Sequence, residues 1–586
     1  MSLKFSHSPI TRHFIILLLV LAAFFLRTYH LDGQALRGDE AATVLYSALP
    51  VADLWELSRV TDPHPPLYYL MLHPWQWLVG ESAWAMRFAG VIASTLAVSV
   101  LYALARRTLG SASASLLAAG LLAVNPLQIW LAQDIRSYPF FTLLGLLSSW
   151  ALWQALHSSQ KPVASRQKLE SHAPVRSLPV GRTTHQCEAS PWDAPRLTLY
   201  APRSTPWFLY VLLTLASFYI HYYTAFLITF QGLFVLLNFR RFWVQKWPWL
   251  ASQVAIGLLI IPGLQLAYNF VGGEAGGGID TLPIGDIFRL TSTSLLTGFT
   301  LDHTWGWWVS LLLAPIWIIG LIALLRRDFT SGTFWTLFFA IPVLGVIALS
   351  IDRPFFKERF LVQAQPAFAL LLAVGFLTLL QTSEWQIITE PKRTTHQSEA
   401  SLWDALRTTL PASRLLASLL LITLLFINTY AFINYLSDPV YAKAPPWQLY
   451  HDYVSDHARP GDVMLTNFPE AAVSYYSPAG LPFYVVPAER DRSVKFRLDQ
   501  TEQIAAAYQR IWFLPLLRQG FDEQGDVLNW LDRHADRVHQ VFFPDYNLNL
   551  YLSPPTVETK LISQPAVFAH GVDLRGYQIF DKEGDS

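Results

Sequence analysis

Eleven stretches of the chain run for 17 residues or more as nearly unbroken apolar sequence, with charge gathered near their ends. At helical rise about 20 residues cross a hydrocarbon core, so each such run reads as a membrane helix. They lie at 11–29, 85–105, 111–131, 138–157, 206–222, 223–239, 247–269, 305–325, 333–351, 361–380 and 415–436. The first, "LLLVLAAFFLRTYHL", is followed by no small-residue cleavage site and by many more runs, so it reads as a retained helix rather than a signal peptide. The 17-residue run "HPPLYYLMLHPWQWLVG" is interrupted by Pro65, Pro66, His73 and Pro74 and is rich in Trp and Tyr, a pattern that suits a helix lying at the interface.

Loop charge fixes the expected orientation. With eleven spans, the pairs Arg106-Arg107, Arg240-Arg241 and Arg326-Arg327 all fall on the cytoplasmic side, as do Lys4 and Arg12. Counting the interfacial run as a twelfth span would put all three pairs outside. The N-terminus is therefore expected in the cytoplasm and the C-terminus outside.

Two polar segments, 158–205 and 381–414, interrupt the bundle on the cytoplasmic side. They share text: "RTTHQCEASPWDAPRLTL" at 182–199 and "RTTHQSEASLWDALRTTL" at 393–410 agree at 14 of 18 positions. A duplicated binding motif would give this pattern, and so would a repetitive insertion tolerated in loops, where added length costs little. The flanking spans show no matching similarity, which argues against a duplicated fold.

Beyond residue 436 the pattern changes. "GDVMLTN", "FYVVP", "RIWFLP" and "LNLYLS" read as short strands, alternating with helical patterns "TEQIAAAYQ" and "GDVLNWLDRHADRVHQV". The expected fold class is thus a polytopic α-helical membrane protein of about eleven transmembrane helices with a small C-terminal extracytoplasmic α/β domain. The membrane domain covers 1–436, with a first external loop at 30–84, and the α/β domain covers 437–586.

Composition agrees. The 586 residues are 52% hydrophobic and only 14% charged, with a mean hydropathy of +0.31, against about 25% charge in soluble domains. A formal net charge of zero excludes an electrostatic nucleic-acid binder, which needs a surplus of Lys and Arg on one face. The single cysteine, Cys187, leaves no internal disulfide framework.

The spans carry almost no ionisable residues, whereas ion-coupled transporters place carboxylates or basic groups along a mid-membrane path. Polar chemistry gathers instead in the loops expected outside: Arg37, Asp39 and Glu40 in "LRGDEAATVLYS"; Asp62 and His64 in "TDPHPPLYY"; Asp134, Arg136 and Tyr138 in "QDIRSY"; His221, Tyr222 and Tyr223 in "HYYTAFL"; Lys357, Glu358 and Arg359 in "FFKERFL". Five separated segments put acids, bases and histidines at one membrane face, as an interfacial active site requires. Adjacent acids on a helix point about 100° apart, so Asp39 and Glu40 alone make no chelate.

At these residues the sequence resembles a known family. The acidic pair in a long first external loop, then "HPPLYYLMLHPWQWLVGESAWAMRFAG", "NPLQIWLAQDIRSYPF" and the late "KERFLVQAQP" look like the polytopic glycosyltransferases of the GT-C fold. The branch resembled holds the dolichyl-phosphate-mannose protein mannosyltransferases and the lipid A aminoarabinose transferases, the glycosyltransferase family 39 type. The resemblance spans roughly residues 10–436. The two insertions and the C-terminal domain depart from the pattern, so it says little about them.

What the resemblance implies is a membrane glycosyltransferase that moves a sugar from a polyprenyl-phosphate-linked donor to a lipid, glycan or protein acceptor at the outer face of the plasma (inner) membrane, with inversion. Asp39 matches the first acid of the family's pair and is the expected general base, with Glu40 aiding it. A solvated first helical turn is the structural alternative for this pair. Arg136 and Arg359, with Lys357 as helper, match positions near which the family binds its carrier phosphate. Planar guanidinium forks suit that task, and interfacial anchoring or pairing with Asp134 or Glu358 is the alternative. His64, Tyr138 and His221 are expected to position substrate. No metal is required on this reading, and a divalent cation is left open. The competing class is a transporter or flippase of lipid-linked glycans, which would share a lipid groove without needing a base. A third reading is an inactive member whose C-terminal domain is a binding module.

Overall fold

The computed structural model describes residues 9–60, 64–158, 204–271, 282–351, 356–380 and 410–553, with four short strands beyond residue 560. The repeated text up to residue 409, Cys187 and Asp62 fall outside the described residues. The chain divides into two compact units. One comprises Met1–Leu31 and Leu49–Tyr441, the other Asp32–Ala48 and Ala442–Ser586.

The first unit is helical. Among the described residues, seven helices are long and apolar enough to cross a membrane: Ile10–Thr28, Ala83–Leu109, Tyr138–His157, Trp243–Tyr268, His303–Arg327, Phe329–Leu349 and Arg414–Ser437. A pair bent by 56°, Ala112–Ala123 and Pro126–Ala132, makes an eighth if taken as one span. Thr205–Ile220, Thr224–Leu237 and Gln365–Leu380 are apolar but shorter. These elements stand where the eleven apolar runs stand in the sequence. Strict length and composition therefore give seven or eight spans rather than eleven, and the chain is a multi-pass membrane protein. The aromatic run after His64 forms the helix Leu67–Val79, with Pro74 inside it.

The run at 111–131, expected as one straight span, is broken, and the dipeptide Asn125-Pro126 explains why. A proline ring drives the preceding residue out of the helical region, and its missing N–H suits the first position of a new helix. Asn125 caps that helix, its Oδ1 accepting from the Gln128 N–H at 3.1 Å. The break would leave the last carbonyls of Ala112–Ala123 without partners. Arg27, wholly buried, supplies them: its Nη1 donates to Ala123 O at 2.8 Å and its Nη2 to Leu122 O at 3.3 Å, while Nε bonds Ser94 Oγ at 2.8 Å. Gln133, just beyond the second half-helix, donates to the carbonyls of Arg27 at 3.1 Å and Tyr29 at 2.9 Å and accepts from the Tyr435 hydroxyl at 2.7 Å. Polar groups thus tie the first helix, the broken helix and the last one together.

Elsewhere the bundle relies on small residues. A Cβ on Gly320 would run into the carbonyl of Leu371, and one on Gly375 into the carbonyl of Ile316. The helices His303–Arg327 and Gln365–Leu380 therefore meet backbone to backbone, the close approach that glycine allows in membrane bundles.

The second unit is α/β. Its five-stranded sheet has the order β2-β1-β3-β5-β4, with β1 Asp462–Thr466, β2 Phe483–Val485, β3 Arg510–Leu514, β4 Asp536–Phe542 and β5 Asn547–Leu552. β2, β1 and β3 are parallel and β5 and β4 antiparallel to their neighbours. The expected strand segments form β1, β2, β3 and β5. β4 is a correction: "GDVLNWLDRHADRVHQV", expected as helical throughout, forms a helix only over Asp526–His534 and then the edge strand. Val527 and Leu531 supply the buried stripe of that helix, and although Ala535 and Val538 continue the helical spacing in the sequence, the helix stops at His534. The "RVHQVF" that follows is β-prone and finds β5 open to pair with, so the tertiary partner decides its form.

Candidate active site

In the membrane unit, the site is built at helix ends and breaks, where the helical ladder leaves backbone and side chains free to turn. Between Ala132 and the helix Tyr138–His157 the chain makes a short bend that carries Asp134 and Arg136, and both are buried. Arg136 Nη2 lies 2.6 Å from His64 Nε2. A guanidinium can only donate, so Nε2 accepts, the His64 proton sits on Nδ1, and the imidazole is neutral. The one positive charge of this contact thus belongs to Arg136.

Tyr138 opens the next helix, and its ring faces two other elements. His221, in the break between Thr205–Ile220 and Thr224–Leu237, has its ring centroid 5.6 Å away. The Arg359 guanidinium carbon lies 5.7 Å from the centre of the same Tyr138 ring, within cation–π range. Arg359 stands in the short 3-10 helix Glu358–Gln363, and the half-buried Lys357 precedes that turn. His221 stacks on Phe141 at 4.7 Å and 17°, and its Nδ1 accepts the Tyr223 N–H at 3.2 Å. Phe360 packs edge-on against both Tyr223 and His221. The Arg136 and Arg359 charges both act electrostatically on His221. Five of the expected residues, from four separate segments, therefore come together, with two arginines as the fixed cations.

The acid pair belongs to the other unit. Asp39 and Glu40 occupy the first turn of the helix Gly38–Ser47, and that helix packs on Ala471–Tyr476 of the α/β domain. The two acids differ. Glu40 is fully buried and its Oε2 accepts the Arg37 N–H at 3.2 Å, closing the first turn. Asp39 is 31% exposed and pairs with Arg37 Nη2 at 3.3 Å. A third acid, Glu470, lies against the same turn. Partial burial raises its carboxyl above the ordinary 4.5, the Ala472 N–H and Arg518 oppose the rise, and Asp39 adds to it.

Sequence reasoning passed over Glu470, Phe141 and Phe360. The aromatic wall around His221 carried no signal among so many Phe and Tyr residues, and Glu470 is one of many acids in a solvated domain. Among the described residues no three His, Cys, Asp or Glu side chains are grouped to hold a metal ion.

With the geometry in view, comparison with known proteins is informative. Residues 63–163 match the sequence pattern of the family described as dolichyl-phosphate-mannose-protein mannosyltransferase. No curated protein matches the sequence. The crystal structure of ArnT from Cupriavidus metallidurans in the apo state is similar over 91% of this chain and 97% of its own, at 12% identity and a TM-score of 0.53. The same protein bound to undecaprenyl phosphate matches over the same shares, at 12% identity and 0.54. The apo oligosaccharyltransferase from Archaeoglobus fulgidus is a looser match, with 11% identity, 86% of this chain, 69% of that one and a TM-score of 0.47. At such identities the likeness to ArnT is one of fold, and that fold extends through the C-terminal domain as well as the bundle. The family segment covers His64, Arg136 and Tyr138, and the chain shares its fold with ArnT, so the resemblance read from the loops and the likeness of fold point the same way.

Proposed function

We propose that the chain transfers a sugar from a polyprenyl-phosphate donor to an acceptor hydroxyl at the outer face of a plasma membrane, with all eleven apolar elements spanning, the N-terminus in the cytoplasm and the α/β domain outside. The observation that carries this reading is the gathering of His64, Arg136, Tyr138, His221 and Arg359 from separate loops around two fixed cations. The undecaprenyl phosphate bound by the similarly folded ArnT supports a donor of that class.

In the reaction the acceptor oxygen forms a bond to the anomeric carbon as the bond from that carbon to the phosphate oxygen breaks. The electron pair leaves with the lipid phosphate, and the acceptor proton passes to Asp39. A carboxylate that is 31% exposed can reach an acceptor, whereas Glu40 is occupied in closing its turn, so Asp39 is the base and Glu40 its support. Charge grows on the leaving phosphate, where Arg136 and Arg359 act as preorganised cations with Lys357 beside them. Neutral His64 orients Arg136, and Tyr138 and His221 position the donor. The scheme needs no metal, and a divalent cation would be an addition to it.

The test uses purified protein in proteoliposomes with a panel of radiolabelled polyprenyl-phosphate sugars and membrane extract as acceptor source. Asp39→Asn is expected to abolish label transfer while donor binding persists. Transfer at the wild-type rate by that variant would remove Asp39 as the base, and donor uptake without transfer by the wild type would favour a carrier.

A further inference from the structure

The acid-bearing segment Asp32–Ala48 is built into the α/β domain, and four contacts hold it there. The Leu36 N–H donates to the Tyr476 hydroxyl at 3.1 Å, and the Lys443 N–H donates to Gln34 Oε1 at 2.9 Å. The helix Gly38–Ser47 packs along Ala471–Tyr476. The fourth contact is a close approach: a Cβ on Gly38 would collide with Glu470 Oε1. Glu470 is itself fixed, since its Oε1 caps the helix Ala471–Tyr476 by accepting the Ala472 N–H at 3.3 Å and its own N–H bonds Phe468 O at 2.8 Å. Gly38 is the residue immediately before Asp39, so whatever sets the first turn at Gly38 sets the direction of the Asp39 carboxylate.

We propose that Glu470 is a positioning residue for Asp39, its carboxyl seated on the side-chain-free face of Gly38, and that the C-terminal domain is thereby part of the catalytic scaffold. The inference rests on the reading of Asp39 as the base. Physically, Gly38 is not among the glycines with positive φ, so it is the close approach of Glu470 that asks for glycine there. A carboxyl so placed also faces Asp39 from the helix it seats and Arg518 from its own domain. Its protonation and its packing therefore bear on the same turn.

A double-mutant cycle in kcat tests this in the full-length protein, reconstituted as above, using Gly38→Ala, Glu470→Ala and the two together. Gly38→Ala is expected to lower kcat about tenfold, because a misplacement of about 1 Å at a reacting group can cost more than that, with donor KM within twofold. Glu470→Ala removes the seat and lowers kcat several-fold. The double variant, in which the new methyl occupies the space the carboxyl vacates, is expected to recover to within about threefold of wild type. A structural role alone would change the folded fraction without a compensating recovery in kcat per folded molecule. Wild-type kcat in Gly38→Ala, or additive losses in the double variant, overturns the proposal. Asp39→Asn runs alongside: loss of transfer there with additive losses in the cycle refutes the Glu470 seat alone, whereas retained transfer refutes the base and the seat with it.

Discussion

Replacing Arg136 gives the most direct reading of the cation site. Arg136 is 6% exposed, and its Nη2 sits 2.6 Å from His64 Nε2, so its guanidinium is held in place before any donor arrives. One preorganised group aimed at a developing oxyanion is worth about 2.7–4 kcal/mol, or about 10²–10³ in rate. Arg136→Ala should therefore lower kcat by roughly that factor. Arg136→Lys keeps the charge but loses the planar fork, and a tenfold loss, about 1.4 kcal/mol, is expected. The alanine variant also loses the contact with His64 Nε2, which is expected to lower stability by about 1 kcal/mol. Thermal unfolding of the detergent-solubilised protein is measured in parallel, and rates are taken per folded molecule. The assay is single-turnover transfer of labelled sugar from a saturating polyprenyl-phosphate donor in proteoliposomes. If Arg136→Ala transfers sugar within threefold of the wild-type rate, the residue is an anchor for the loop and the electrostatic account of the leaving group is wrong.

Arg27→Leu should destabilise the membrane unit, because the carbonyls of Leu122 and Ala123 lose their donors inside the bundle. Loss of about 2–4 kcal/mol is expected for two buried acceptors left unpaired, seen as a lower unfolding midpoint, and an unchanged midpoint refutes the capping role. Glu470→Gln should alter how stability depends on pH. The folded carboxyl is raised above the ordinary 4.5, so its favourable contribution is complete below that value and is lost as pH rises through the folded one. Wild type and Glu470→Gln should accordingly melt alike below the ordinary 4.5, with the variant gaining as pH rises through the raised folded value and the difference constant above it. A constant difference at all pH values would mean that the carboxyl titrates as in water.

Much of this architecture could be read from the chain. Apolar runs of span length, the arginine pairs at their ends and the change to alternating short strands after residue 436 are local properties, and local properties survive into the structure because the bilayer and the sheet impose fixed periods on sequence. The candidate residues His64, Arg136, Tyr138, His221 and Arg359 were legible for a related reason: ionisable groups between apolar runs are few, so each one stands out. The break at Asn125-Pro126 was also written in the sequence, as a capping residue before proline, although an unbroken apolar composition concealed it.

What the sequence alone could not decide were matters of partnership. It does not say that Arg27 would turn inward to satisfy carbonyls nearly a hundred residues away, that "RVHQVF" would leave a helix for the edge of a sheet, or that Gly38 would lie beneath a carboxyl from residue 470. Such contacts join segments distant in the chain, and their free energy comes from desolvation and close packing, which exist only once both partners are in place. Patterning along the chain determined that this protein is a membrane bundle with a small α/β domain. The tertiary structure alone decided that the segment bearing Asp39 and Glu40 belongs to the domain and the paired arginines to the bundle, because burial and hydrogen bonding between remote residues choose among arrangements that local sequence leaves equally open.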